Sequence, residues 1–209
     1  MTRPRSFRTA LLAVISCVAA FCAAVECDGQ VQTYSSIQEV RVNGLPTIVA
    51  QSHELSDVLA SSLDTIINDK SVCCGKDSAL ESSLEKADPS SLKDVAAKLQ
   101  GRQLLSDGRP IQVTAEAIEP GAINGSLLIT TLREKHALLL LWNSHLYVCY
   151  GVTYLRDYDA SGITELDTIH KLQLLDTRYS DSRRETAFNR GVDDESKVQG
   201  MLWVSVKQP

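Results

Sequence analysis

Aromatic side chains are scarce: Phe, Trp and Tyr together make up 5% of the 209 residues. So few rings argue against a base-stacking platform or an aromatic, lectin-like binding surface. Positive charge is also in deficit, with 21 Lys and Arg against 26 Asp and Glu and a net charge of −5. Phosphate contacts need a surplus of cations, so a general nucleic-acid binder is excluded. The body of the chain has no apolar run of about 20 residues, which excludes a multi-span membrane protein. No Cys or His pair stands at the C-x2-C or H-x3-H spacing of a zinc site, and neither a metal nor another cofactor is expected. The missing C-x-x-C also counts against a thiol redox protein. What remains is a globular balance, 44% hydrophobic and 22% charged, with length for one sizeable core.

The first residues pose a separate problem. Met1 to Arg8 carries Arg3, Arg5 and Arg8 and no acid, and Thr9 to Ala24 is apolar or small throughout. That is the charged and then apolar build of a secretory signal peptide, and the small residues Cys22 and Ala24 fit cleavage after Ala24. An uncleaved membrane anchor is one alternative, although the run is short for a span. A lipoprotein is another, since Val14-Ile15-Ser16-Cys17 loosely fits a lipobox. Cleavage would remove the three Arg and take the net charge from −5 to −8. The expectation is an exported chain, periplasmic or extracellular, that meets a membrane only if the leader is retained or lipidated.

Export changes how the cysteines are weighed. Of the six, Cys17 and Cys22 fall in the leader, leaving Cys27, Cys73, Cys74 and Cys149. An even number in an oxidising compartment suggests disulfides, but this density is far below that of a disulfide scaffold. Cys73 and Cys74 are adjacent and would pair with each other only through a strained ring. A bridge from Cys27 to Cys73 with Cys74 free is one arrangement.

Beyond the leader, residues 25–56 read as an N-terminal extension. Val40, Val42 and Leu45 surround the turn Asn43-Gly44, and Thr47 to Ala50 follows, which suggests a β-hairpin. Residues 57–209 read as one domain. His53 to Asn68 has helical periodicity, a second helix runs from Ser78 to about Lys86, and a third starts at Asp88 or Ser90 as N-cap and ends at Gly101. Ile111 to Val113 is a short strand and Asn124 to Lys135 a helix. Ala137 to Trp142 is a continuous apolar run fitting a strand buried on both faces. His145 to Val152, Ile169 to Leu175 and Met201 to Val206 then read as strands. Helices first and a mainly antiparallel sheet second make an α+β fold rather than a βαβ repeat.

Three positions carry chemistry. Cys74, followed by Gly75, lies where a loop meets a helical stretch, and the positive end of a helix dipole lowers a thiol's pKa. The bland alternative is a buried cysteine acting as a small hydrophobe. His145 opens a strand after a two-residue turn, where an imidazole can reach a cleft from rigid backbone, or else sit as a surface histidine. Asp176 ends the strand Leu172 to Leu175, where it either orients an imidazole or caps the turn Thr177-Arg178.

In this order the three resemble the papain-like cysteine peptidases, in the bacterial type that includes the bacteriocin-leader-processing peptidases. In that group a Cys-Gly motif opens the central helix, as in Cys74-Gly75-Lys76-Asp77-Ser78-Ala79-Leu80. A His later begins a strand of the form His-apolar-x-apolar-x-x-Gly, as in His145 to Gly151. An Asp or Asn ends the next strand, as in Leu174-Leu175-Asp176-Thr177. The resemblance covers roughly Asp57 to Val206. It implies a papain-like α+β fold in which an N-terminal helical part carries the Cys and the sheet carries the His and Asp. It further implies a Cys74-His145-Asp176 triad acting on a peptide or protein substrate. Asn68 stands where the family has an oxyanion-hole Gln, with a shorter amide, and Lys76-Asp77 replaces a Pro and small residues.

The alternative is a secreted, non-catalytic papain-like interaction module. There Cys73 or Cys74 pairs with Cys27 or Cys149 and His145 is structural. Tyr179 to Asp194, with Arg178, Arg183, Arg184 and Arg190 nearby, is then a solvated loop or a partner contact.

Overall fold

The computed structural model of the protein describes residues 34–67, 82, 84, 87–105, 107–120, 125–134, 136–158, 161, 164–180, 182–187 and 198–207. The leader, Cys27, Asn68, Cys73 and Cys74, and most of the expected helix from Ser78 to Lys86 lie outside them. Strand β1 (Tyr34–Arg41) comes first, followed by helices α1 (Leu55–Ile67) and α2 (Leu92–Leu99). Strands β2 (Gly101–Leu104) and β3 (Pro110–Ile118) lead to helix α3 (Gly125–Arg133). Then come β4 (Leu138–Trp142), β5 (His145–Tyr158), β6 (Thr164–Leu175), β7 (Arg183–Ala187) and β8 (Val198–Lys207). The strands form one open antiparallel sheet in the order β2-β3-β8-β4-β5-β6-β7. Strand β1 lies off that path: β4 accompanies β5 as far as Cys149, and β1 pairs with it from Gly151 to Tyr158. The fold is α+β, as the order of elements implies.

Strand β4 explains why the sheet is covered on both faces. Successive side chains of a strand point to opposite sides. Leu138 and Leu140 therefore join Leu128, Ile129 and Leu132 of α3, while Leu139 and Leu141 join Val58, Leu59 and Leu63 of α1 and Val95 and Leu99 of α2. Each of these leucines is nearly or fully buried, and burying one stabilises the fold by about 1.5–3 kcal/mol. Helix α1 is enclosed more completely than its apolar face requires, since Ser61, Ser62, Asp64 and Thr65 have no exposed surface either. Thr65 Oγ1 donates to the Ser61 carbonyl at 2.8 Å, and the Ser62 and Thr177 hydroxyls meet at 3.0 Å.

Several expectations need correction. The Val40–Ala50 hairpin does not form: β1 pairs with β5, and residues 42–50 are irregular. Strand β5 offers β1 eight register partners, whereas Thr47 to Ala50 is short and follows Pro46, which has no N–H to give a ladder. The N-cap of α2 is Ser91, whose hydroxyl accepts from the Asp94 N–H at 3.3 Å. Asp88 instead accepts from the Ser90 N–H and hydroxyl at 2.9 and 2.7 Å. Strands β2 and β7 are additions to the expected set, and both are short edge strands, β2 with alternate side chains exposed and β7 with nearly all of them exposed.

The β4–β5 connection is the expected two-residue turn. Asn143 and Ser144 both take the left-handed conformation, with φ of 53° and 61°, as a type I′ turn requires. Asn tolerates that region, while Ser is strained there. Ser144→Gly should therefore raise stability by about 0.5 kcal/mol in urea denaturation. Gly151 is the opposite case: a Cβ there would meet Gln173 Oε1 at 2.3 Å and the Val40 carbonyl at 2.9 Å. Because the Val40 backbone would have to give way and the Gln173 amide would have to leave Arg41 and Glu39, Gly151→Ala should cost about 1–3 kcal/mol in the same measurement.

Candidate functional site

Strand β5 starts at His145 and β6 ends at Leu175, and Val148 faces Leu175 across the ladder. His145 and Asp176 therefore come to the same end of two neighbouring antiparallel strands. The structure does not join them by a hydrogen bond. His145 is exposed, and its Nδ1 lies 3.1 Å from the Ser144 carbonyl. A carbonyl only accepts, so the contact is a hydrogen bond only in the tautomer with the proton on Nδ1, and in that neutral ring Nε2 is the acceptor.

Asp176 is fully buried and committed elsewhere. Its Oδ1 accepts from Arg178 Nε at 2.8 Å and from the Arg178 backbone N–H at 3.2 Å. Its Oδ2 accepts from Arg178 Nη2 at 2.6 Å and Arg184 Nη2 at 3.1 Å. Of the two roles the sequence leaves open to Asp176, the turn cap is the one it fills here. The imidazole takes a backbone carbonyl instead. Desolvation is the largest single influence on this carboxyl and pushes its pKa up. The hydrogen bonds from Arg178 and the charges of Arg178 and Arg184 together outweigh it and hold the carboxyl below its ordinary value. The same contact with Asp176 raises Arg178.

The turn after β6 is fixed in place by its backbone. The Asp176 N–H donates to the Ser182 carbonyl and the Tyr179 N–H to the Asp176 carbonyl, both at 3.3 Å. The Thr177 carbonyl accepts from the Ala50 N–H at 2.6 Å, and its side chain rests on α1 through Ser62 and the Val58 carbonyl.

Tyr147 connects the histidine to the arginines. Its ring lies 6.4 Å from that of His145, and the guanidinium carbons of Arg178 and Arg184 each sit 5.9 Å from its centre. Arg178 also lies 5.6 Å from the Tyr179 ring, which is 5.6 Å from that of His53. A second group stands on Tyr150, with Arg183 at 5.3 Å and Arg41 at 5.6 Å. There Arg183 Nη2 donates to the Leu45 carbonyl at 2.7 Å and Arg41 Nε to Gln173 Oε1 at 2.8 Å. Part of the segment read as a solvated loop or partner contact is thus strand β7, with Arg183 and Arg184 at its start. Arg190 and Asp194 lie outside the described residues.

The remaining candidates separate from this end of the sheet. Cys74 and Asn68 lie outside the described residues. His136 packs edge-on against Trp203 at 5.4 Å, and His170 is exposed on β6. Cys149 is free and fully buried, with Sγ 3.6 Å from the Gly151 carbonyl. It forms no bridge to Cys73 or Cys74, and burial pushes its thiol up to about 12. Among the described residues no group of three His, Cys, Asp or Glu stands close enough to hold a metal, and no helix is long and apolar enough to cross a membrane. What sequence reasoning missed is the Asp176–Arg178–Arg184–Tyr147 cluster. The available signal was an Asp with an Arg two and eight positions later.

Two outcomes follow. Asp176→Ala leaves two guanidiniums around a lost carboxylate and should cost about 3 kcal/mol in urea denaturation at pH 7. The folded carboxyl lies below its unfolded value, so its contribution is fully present above about pH 3.9 and is lost as the pH falls through the folded value. A pH series should therefore show the variant's deficit shrinking on the acid side. Cys149 should resist alkylation in the native protein at pH 8 and react fully in denaturant, as site-resolved mass spectrometry would show.

No family model, curated protein or solved structure matches the chain.

Proposed function

We propose that the chain is an exported papain-like thiol hydrolase of the peptidase type, with Cys74 as nucleophile and His145 as base. The observation that supports it most is the placing of His145 and Asp176 at one end of two neighbouring strands, in the order the papain-like resemblance requires. The imidazole stands at a rigid strand start with Nε2 left to accept a proton. Asp176 departs from a triad. It acts as a positioning residue that fixes the turn and the arginines beside Tyr147.

In the proposed reaction His145 Nε2 takes the Cys74 thiol proton, and the thiolate attacks a peptide carbonyl to form an S–C bond. The Cys74 N–H and the Asn68 amide, by resemblance to the family, hold the oxyanion. The C–N bond then breaks as His145 returns the proton to the leaving amine. Water, deprotonated by the same imidazole, splits the thioester. A backbone carbonyl steadies an imidazolium less than a carboxylate does, so turnover should be slow for a peptidase.

The second reading, a non-catalytic interaction module, is favoured by the commitment of Asp176 to two arginines. Alkylation of the purified protein against pH, with mass-spectrometric site assignment, separates the two. A hydrolase should show Cys74 reacting quickly below pH 7, and His145→Ala should slow that at least about tenfold. A Cys74 that is bridged, or labels only near the ordinary thiol pKa of about 8.5, overturns the hydrolase and leaves the module.

A further inference from the structure

We propose that the face built by Arg178, Arg184, Tyr147 and Tyr179 recognises an acidic peptide segment. This rests on the hydrolase reading, for which it supplies the substrate class.

The charge count at this face is the first reason. Among the described residues two guanidiniums meet one carboxylate, and that carboxylate has no exposed surface. Arg184 has 49% of its side chain exposed and gives Asp176 only Nη2, so among the described residues its Nε and Nη1 make no hydrogen bond. Glu185, the next acid along β7, is paired with Lys171 at 3.4 Å. Among the described residues a surplus, half-exposed guanidinium thus stands on a chain whose overall charge is −5. The rest of the molecule repels an acidic ligand, and this end attracts it.

The second reason is pre-organisation. Arg178 is held by both oxygens of Asp176, and both guanidiniums lie against the Tyr147 ring. An arginine already fixed by a carboxylate and an aromatic face loses little rotamer freedom when it takes a further carboxylate. A planar guanidinium fork also matches the two oxygens of a carboxylate. A nucleic acid fits less well, because its many phosphates would meet the negative remainder of the chain.

The third reason is position. His145 and both arginines share Tyr147 as a neighbour. A residue of extended peptide spans about 3.4 Å, so an acidic side chain at Arg184 would lie within about two or three residues of a bond held at His145. The face would then select which bond is cut.

The test is fluorescence anisotropy with the full chain carrying Cys74→Ser, which cannot turn the peptide over. The probes are a labelled Glu-rich hexapeptide and its Gln counterpart, at about 50 mM salt where the Debye length is long. The Glu peptide should bind at least about tenfold more tightly, and added salt should erode the difference. Arg184→Gln should remove most of it, with Asp176 still held by Arg178, while Lys171→Gln makes the same charge change elsewhere and should leave it intact. Equal binding of the two peptides overturns the proposal. So does an equal loss in Arg184→Gln and Lys171→Gln, or competition by an oligonucleotide as strong as by the peptide. The alkylation rates use no peptide, which keeps the two failures apart. A reactive Cys74 without discrimination sinks the acidic face alone. Discrimination with an ordinary Cys74 sinks the hydrolase and leaves an acidic-peptide binding module.

Discussion

A carboxylate without access to water is costly to bury, and Asp176 determines the chemistry of its end of the sheet because that cost has to be met locally. Its own turn supplies Arg178, and the neighbouring strand β7 supplies Arg184. These bonds tie the end of β6 to the start of β7. They also draw two guanidiniums onto Tyr147 of β5, so three consecutive strands of the sheet order are stitched by one anion. Thr177, next in sequence, carries the same turn onto α1. Loss of the carboxylate therefore releases a junction of sheet, turn and helix rather than a surface ion pair.

The site also depends on the length and register of β5. At its start it pairs with β4 through a turn of only two residues, which leaves His145 no slack. Beyond Gly151 it exchanges β4 for β1, and the absence of a side chain there lets Gln173 lie across the junction. Gln173 donates to Glu39 at 2.8 Å and accepts from Arg41, bonding β6 to β1 over the glycine. A register slip of one residue would turn Tyr147 to the other face and break the array of arginines as well as the core.

Much of this architecture was legible in the sequence where burial dictated the pattern. The run Ala137 to Trp142 fits a strand covered on both sides, and the spacing of Val58, Leu59 and Leu63 fits a helix face. The short edge strands escaped because exposed residues carry no periodicity: Arg183 to Ala187 is polar and pairs on one side only. The hairpin at Asn43-Gly44 failed because local turn chemistry was outbid by a longer partner more than a hundred residues away, which no short-range signal records. The expected placing of His145 at a strand start and Asp176 just after a strand end matches the structure. Their partners were not legible, since an Asp after a strand looks the same whether it meets an imidazole or a guanidinium.

That last distinction bears on how a base could work here. Among the described residues the Nδ1 of His145 meets the Ser144 carbonyl and no carboxylate. Arg178 and Arg184 share Tyr147 with the imidazole, and Asp176 cancels only one of their two charges. On the proposed reading, an acidic peptide segment on the arginines would bring the missing negative charge to the same aromatic ring that His145 approaches. Recognition and bond cleavage would then meet at Tyr147, and the arginines would set which residue of the peptide lies at the imidazole.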